Sequence, residues 1–310
     1  MINSVRNTVL AIANKNNYGY ISPQDFNLYA QQAQMDLFEE YFYSYNSWIN
    51  KRNQRTSGSG YADIVKGLEE VIDSFSVEAF LTLVAGNVYS LPLDYYLVNK
   101  ILSLPSIIES SNGSSTSTFP FYLNDSSVDF NFQGAALGDI VLNTDDNTEA
   151  IITAINSNVS LTLSAAIFPN SPATDSYKIF SAATITMTER VSQNKINYLL
   201  TSKLTAPTTG FPAYTLEANN VTVYPLNASY YYRAQYIRYP KVPKWTWVAL
   251  QGGAPLFNSS AADYQDFELP LSDEPTLIAK ICQYVGIEIR EEDVYAFGNS
   301  LETKENQTES

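Results

Sequence analysis

Seven aromatic rings and four cations, Arg233, Arg238, Lys241 and Lys244, share the stretch YYYRAQYIRYPKVPKWTW (Tyr230–Trp247) without one acid among them. That mixture supports three kinds of chemistry. Rings stack bases while Arg and Lys meet phosphate, as in a groove for single-stranded nucleic acid. Tyr, Trp and Arg are also the residues that most often anchor protein interfaces. The third use is architectural: a strand with Tyr230, Tyr232 and Tyr236 on one face and Tyr231, Arg233, Ile237 and Tyr239 on the other, ended by Pro240 and Pro243. A strand so aromatic on both faces must be covered on both, by its own domain or by a partner.

Charge discriminates among these. The chain of 310 residues has a formal net charge of -14, unevenly placed. Residues 1–60 are net +1, 61–180 net -11, 181–260 net +5 and 261–310 net -9. The aromatic stretch is thus the heart of a basic block set between two acidic ones. Acidic flanks would repel DNA, which carries a charge every ~1.7 Å of helix axis. Copies of an acidic protein repel one another too, unless a basic patch on one meets an acidic patch on the next. Such a head-to-tail contact uses two different surfaces and generates a ring. The sequence therefore points to Tyr230, Tyr232, Arg233, Tyr236, Arg238, Tyr239, Lys241, Lys244, Trp245 and Trp247 as subunit-interface candidates. Phe38, Phe42 and Tyr45 widen one helix's apolar surface beyond a core-facing stripe, so that helix is either buried on two sides within the monomer or packed against a neighbouring subunit. On the second reading the three join the interface candidates.

Catalytic equipment is not legible. Histidine is absent and Cys282 is the sole cysteine, which excludes a disulfide within the chain, a Cys-based zinc site and any Ser-His or Cys-His pair. The glycine-rich nucleotide loops, G-x-S-x-G and H-E-x-x-H are all missing. DDNTEA begins like a calcium loop at Asp145 and Asn147, but Ala150 stands where that loop needs glycine, and Asn156 where it needs a bidentate acid. Paired acids such as Glu69-Glu70 suit a solvated helix face. Cys282, between Ile278 and Val285 on a helix face, suits a buried small hydrophobe. No enzyme, cofactor or metal site is expected. No apolar run is long enough for a signal segment or a membrane span, so the chain is expected to be cytosolic at synthesis.

The elements that must position these residues are readable in part. Ile2, Val5, Val9 and Ile12 mark a short amphipathic helix. SPQD supplies Ser22 as N-cap and Pro23 at the first helical position, and Phe26, Ala30, Ala33, Leu37 and Tyr41 form the stripe of a helix reaching about Asn50. YADIVKGLEEVIDSF is a third helix. From Val77 the period becomes two, and two strands join at Ala85-Gly86-Asn87. Residues 109–118, ESSNGSSTST, have the composition of a linker. Strands near 138–143, 149–156, 159–164 and 177–180 make a small closed barrel or sandwich, and PTLIAKICQYVG is a short helix ended by Gly286. The expected fold is α+β: N-terminal helices (1–76) packed on a β-rich body (77–127 and 183–274), an inserted small SH3-like β-barrel (128–182), and a C-terminal helix with an acidic tail (275–310).

Four segments, taken in order, carry a resemblance: SPQDFNLYAQQAQMDLFEEYF, GDIVLNTDDNTEAIITAINSNVSLTLSAAIF, LTAPTTGFPAYTLEANNVTVYPLNASYYYRAQYIRYPKVPKW and DFELPLSDEPTLIAKICQYVGIEIRE. Together they resemble the head–tail connector (ring or adaptor) proteins of short-tailed phages, most closely those of crAss-like gut phages. The resemblance implies a virion structural protein, present in the host cytoplasm during assembly and placed at the head–tail junction or in the tail. It also implies homo-oligomeric rings, commonly of twelve copies, stacked below the portal and beside other tail or ring proteins. The genome would pass through without specific binding, and no membrane would be involved. The alternative is a tail adhesin or carbohydrate-binding β-protein, since exposed Tyr, Trp, Asn and Ser also hold sugars. The helical N-terminal part and the absence of fibre repeats weigh against it.

Overall fold

The computed structural model describes residues 1–13, 21–53, 63–225, 230–250, 254–289, 296 and 300. The fold is α+β, and the chain divides into two units: a helical unit, Met1–Ser76 with Arg238–Ser310, and a β unit, Val77–Ile237.

Helix α1 (Ile2–Ala13) buries Ile2, Val5 and Val9, the spacing expected of one face. Helix α2 (Pro23–Asn53) opens on its expected cap: the Ser22 hydroxyl accepts the Asp25 N–H at 3.1 Å. Its stripe of Phe26, Ala30, Ala33 and Leu37 is buried. Phe38 is buried too, edge-on to Phe42 and to Phe75 with ring centroids 5.1 Å apart in each case. Helix α3 (Asp63–Asp73) meets α2 where the Tyr45 hydroxyl donates to Glu69 at 2.9 Å.

The β unit holds two rings of strands that share one long strand. Strand β1 (Ser76–Phe80) continues past Leu81 into β2 (Thr82–Ala85), and Gly86, at φ +59°, turns the chain into β3 (Val88–Ser90). Strand β4 runs from Tyr95 to Gly113. The pairing order from β2 is β3, then β12 (Asn220–Tyr224), β11 (Ala213–Glu217), β10 (Thr186–Arg190) and β4; β4 also pairs β13 (Tyr230–Arg238), which pairs β1. Because β1 and β2 are one bent segment, the ladder returns to its start, and no long edge is left open. Its interior is filled by Tyr89, Ile101, Tyr214, Val221, Tyr232 and Tyr236. Helix α4 (Gln193–Thr201), not foreseen from the sequence, links β10 to β11.

The second ring uses the far half of β4. It pairs β9 (Asp175–Phe180), then β6 (Ile140–Asn143), β7 (Thr148–Ser157), β8 (Ser160–Leu163) and β5 (Tyr122–Asn124), and a bridge from Asn124 to Ser114 closes it. Register shifts in β4 at Ser106/Ile108 and Ser110/Gly113 let one strand curve through both rings. The core takes Ile108 and Leu123 from upstream of residue 128, with Phe130, Val141, Leu161 and Ile179. The expectation of a linker at 109–118 is corrected here. Glu109, Ser110 and Gly113 are paired with Lys178, Tyr177 and Asp175 of β9. Gly113 is there because a Cβ would lie 2.7 Å from the rings of both Phe168 and Tyr177.

The chain then returns to the helical unit. A hairpin, β14 (Trp247–Ala249) with β15 (Pro255–Phe257), precedes α5 (Glu274–Ile289). Helix α5 runs through Gly286 rather than ending there. Gly286 is buried, and glycine inside a helix costs only ~1 kcal/mol of propensity, which packing offsets. Lys280 of α5 reaches Glu40 of α2 at 3.2 Å, and Tyr284 stacks on Tyr29 at 6.0 Å. Helix α2 is therefore contacted by α3 and by α5, which explains its wide apolar surface within one chain. No helix among the described residues is long and apolar enough to cross a membrane.

Candidate interaction surfaces

Strand β13 uses the alternation expected of it, and its own unit covers both faces. Tyr232 lies edge-on to Tyr89 at 4.8 Å, and the Tyr236 hydroxyl donates to Asp94 at 3.0 Å. On the opposite face Tyr231 packs against Phe180 at 5.3 Å, with the Lys178 ammonium 4.2 Å from its ring centroid. Arg233 sits between two acids, 3.1 Å from Glu78 and 2.9 Å from Glu149. The side chain of Tyr230 lies outside the described residues.

Of the other cations in the stretch, Arg238 and Lys244 also meet acids of this chain. Arg238 grips Glu268 through two hydrogen bonds, 2.7 and 3.0 Å long. The Lys241 backbone N–H donates to the same carboxylate at 2.8 Å. Burial pushes the Glu268 carboxyl up, but these donors outweigh it and hold it below its ordinary range. Lys244 and Asp263, both exposed, are 2.6 Å apart. Trp245 is buried beneath the Arg6 guanidinium, 3.9 Å from its ring centroid.

For Arg233, Arg238 and Lys244 the acidic partner that charge alone assigned to a neighbouring copy is thus found in the chain itself. Phe38, Tyr232, Tyr236 and Trp245 are core residues and offer no surface. Of the other candidates, Phe42, Tyr45 and Trp247 are half-buried, while Tyr239, Lys241 and Lys244 reach the surface. One consequence concerns Arg233. Substitution Arg233→Glu, which sets a third carboxylate beside Glu78 and Glu149, is expected to destabilise the β unit by about 2–4 kcal/mol. A thermal melt at neutral pH checks it. An unchanged melting temperature would mean that the two ion pairs contribute nothing to the fold.

Surfaces that the sequence reading passed over are apolar and exposed. Leu204 is 96 % and Phe211 84 % exposed on the loop after α4. Phe119 and Phe121 are exposed in the β4–β5 connection, where Phe119 stacks on Tyr122 at 4.8 Å. The signal that could have found the first was the lack of any acid from Arg190 to Leu216, beside three cations.

Among the described residues no group of three or more His, Cys, Asp or Glu side chains is placed to hold a metal ion. At the β6–β7 turn the acids cap backbone instead: Asp145 accepts the Ser176 N–H at 2.8 Å and Asp146 the Thr148 N–H at 3.0 Å. Cys282 is fully buried in α5, and burial pushes its thiol up to about 11. That protonated thiol is a poor nucleophile. No protein-family model and no curated protein matches the chain.

Proposed function

We propose that the chain is a non-enzymatic virion subunit that assembles as a ring, joins the portal of a short-tailed phage to its tail, and surrounds the path of the genome. The observation that carries this reading is the ordered set of four segments, spread over most of the chain, that resembles crAss-like head–tail connector proteins. Two features support it. Exposed large apolar side chains such as Leu204 and Phe211 are abundant on a fold whose core is closed, and such patches mark surfaces that meet another protein. The acidic blocks, net -11 and net -9, would repel passing DNA if they face the channel.

Native mass measurement with negative-stain imaging, of the purified chain alone and with its portal protein, tests the proposal. Closed rings of about a dozen copies are the expected result. A monomer or trimer that ignores the portal would overturn it. Glycan binding by that monomer would favour the adhesin alternative, for which the exposed Phe119, stacked on the half-buried Tyr122, offers the platform.

A further inference from the structure

We infer that two surfaces of the β unit meet head to tail between copies: the basic, apolar ledge of α4 and its following loop, and the acidic, aromatic end of the second strand ring. The inference rests on the ring reading above and names the contact that would build it.

The ledge combines free positive charge with uncovered apolar surface. Six cations, Lys66, Lys178, Arg233, Arg238, Lys244 and Lys280, are paired with acids of the same chain. Arg190, Lys195 and Lys203 form no ion pair among the described residues, and no acid lies between Arg190 and Leu216, although Glu189 and Glu217 flank the segment. Beside these cations Tyr198, Leu204 and Phe211 stand in solvent. The loop that carries Leu204 and Phe211 is held in place. Thr205 and Ala206 donate to the Ser202 carbonyl at 3.2 and 2.9 Å, and Thr208 and Phe211 exchange bonds of 3.2 and 3.0 Å. A surface fixed in advance loses little entropy when it docks.

The complementary end follows from topology. Every neighbouring pair in the second ring is antiparallel, so the connections 114–121, 144–147 and 164–174 leave from the same end. Asn143 ties the second to the third, accepting the Asp145 N–H at 3.0 Å and donating to the Ile167 carbonyl at 2.7 Å and to Asp175 at 2.8 Å. That end presents Asp145, Asp146 and Asp175 with Phe119 and Phe121, and no cation among the described residues pairs with the three acids. Each surface thus has the charge the other lacks, and each has rings or Leu to bury. In a chain of net charge -14, contacts between other surfaces of two copies meet mainly like charge. The two patches differ, so the contact is head to tail and propagates.

Self-association of the full chain, measured by analytical ultracentrifugation at low and high salt, tests the contact. Lys195→Glu with Lys203→Glu, and separately Asp145→Lys with Asp146→Lys, should each weaken association about tenfold or more, because each brings like charges together. Their equimolar mixture should associate again, since the intact lysines of one variant meet the intact aspartates of the other and the reversed pairs also match. Melting temperatures show whether each variant folds. Should the Asp→Lys pair unfold, Asp145→Asn with Asp146→Asn keeps the capping oxygens and should still weaken association. Closed oligomers that ignore the reversals, or folded variants whose mixture fails to recover, overturn this contact and leave the ring reading standing. A wild-type chain that stays monomeric, alone and with its portal, overturns both. Intact association with lost binding to duplex DNA in the ledge variant would assign the ledge to nucleic acid instead.

Discussion

Replacing Trp245 with alanine is expected to destabilise the helical unit by about 3–5 kcal/mol, the range for emptying a buried aromatic site. Trp245 is only 1 % exposed and is held from every side. Its indole Nε1 donates to Asn3 at 3.0 Å, its backbone N–H to the Asn27 side chain at 2.8 Å, and its carbonyl accepts from the same amide at 3.1 Å. One ring face receives the Arg6 guanidinium at 3.9 Å, and the ring stacks near Trp247 and Phe257 at 6.0 and 5.7 Å. Removing it opens a cavity and strips a buried cation of its aromatic face, an interaction worth ~2 kcal/mol when desolvated. Trp245→Phe keeps most of the ring and loses the bond to Asn3, so about 1–2 kcal/mol is expected. Amide hydrogen exchange separates this from a general loss of stability. Protection should fall in α1, which carries Asn3 and Arg6, while the β unit exchanges as before. Protection in α1 equal to wild type would sink the assignment of Trp245 as the residue that holds that helix.

Local patterns were legible in the sequence because local physics sets them. The cap at Ser22, the stripe from Phe26 to Leu37 and the alternation of β13 each depend on residues a few positions apart, and each is found. What was hidden depends on partners far along the chain. Composition made 109–118 a linker, yet Ser110 is polar because it donates to a buried carboxylate, and Gly113 is small because Phe168 and Tyr177 press on it. The cations of 230–247 drew attention to a neighbouring subunit because their acids, Glu78, Glu149 and Glu268, are remote in sequence. Net charge by block cannot report which acid folds back onto which base. Nor does periodicity mark an exposed apolar loop such as that bearing Leu204 and Phe211, since nothing inside the monomer requires it.

Asp125, inside the second strand ring, is expected to make that ring acid-sensitive, and its loss to be the most damaging polar change there. Its carboxylate is buried and accepts from Tyr177 at 3.0 Å, from the Ser127 N–H at 2.8 Å, from the Ser127 hydroxyl at 2.5 Å, and from Ser110. Burial pushes the carboxyl up, but the donors from Ser110, Ser127 and Tyr177 win and hold it below its ordinary range. Burial and then the neighbouring Asp125 charge raise the Tyr177 hydroxyl far above the usual tyrosine range, so it stays a donor. A carboxylate depressed by folding adds stability that is fully present above its unfolded value, about 3.9, and is lost as pH falls through the lower folded value. Asp125→Ala would leave those donors buried without an acceptor, and about 3 kcal/mol of destabilisation is expected at neutral pH. Asp125→Asn keeps the shape and one acceptor oxygen, so it should cost less and, more tellingly, should flatten the acid limb. Urea unfolding of the wild-type and Asn chains from pH 7 downward checks this as a difference between two curves. The gap between them should be constant near neutrality and close as pH drops below about 4. Curves that stay parallel through that range would show that Asp125 is not ionised in the fold, and the four-donor site would then have to be redrawn around a neutral acid.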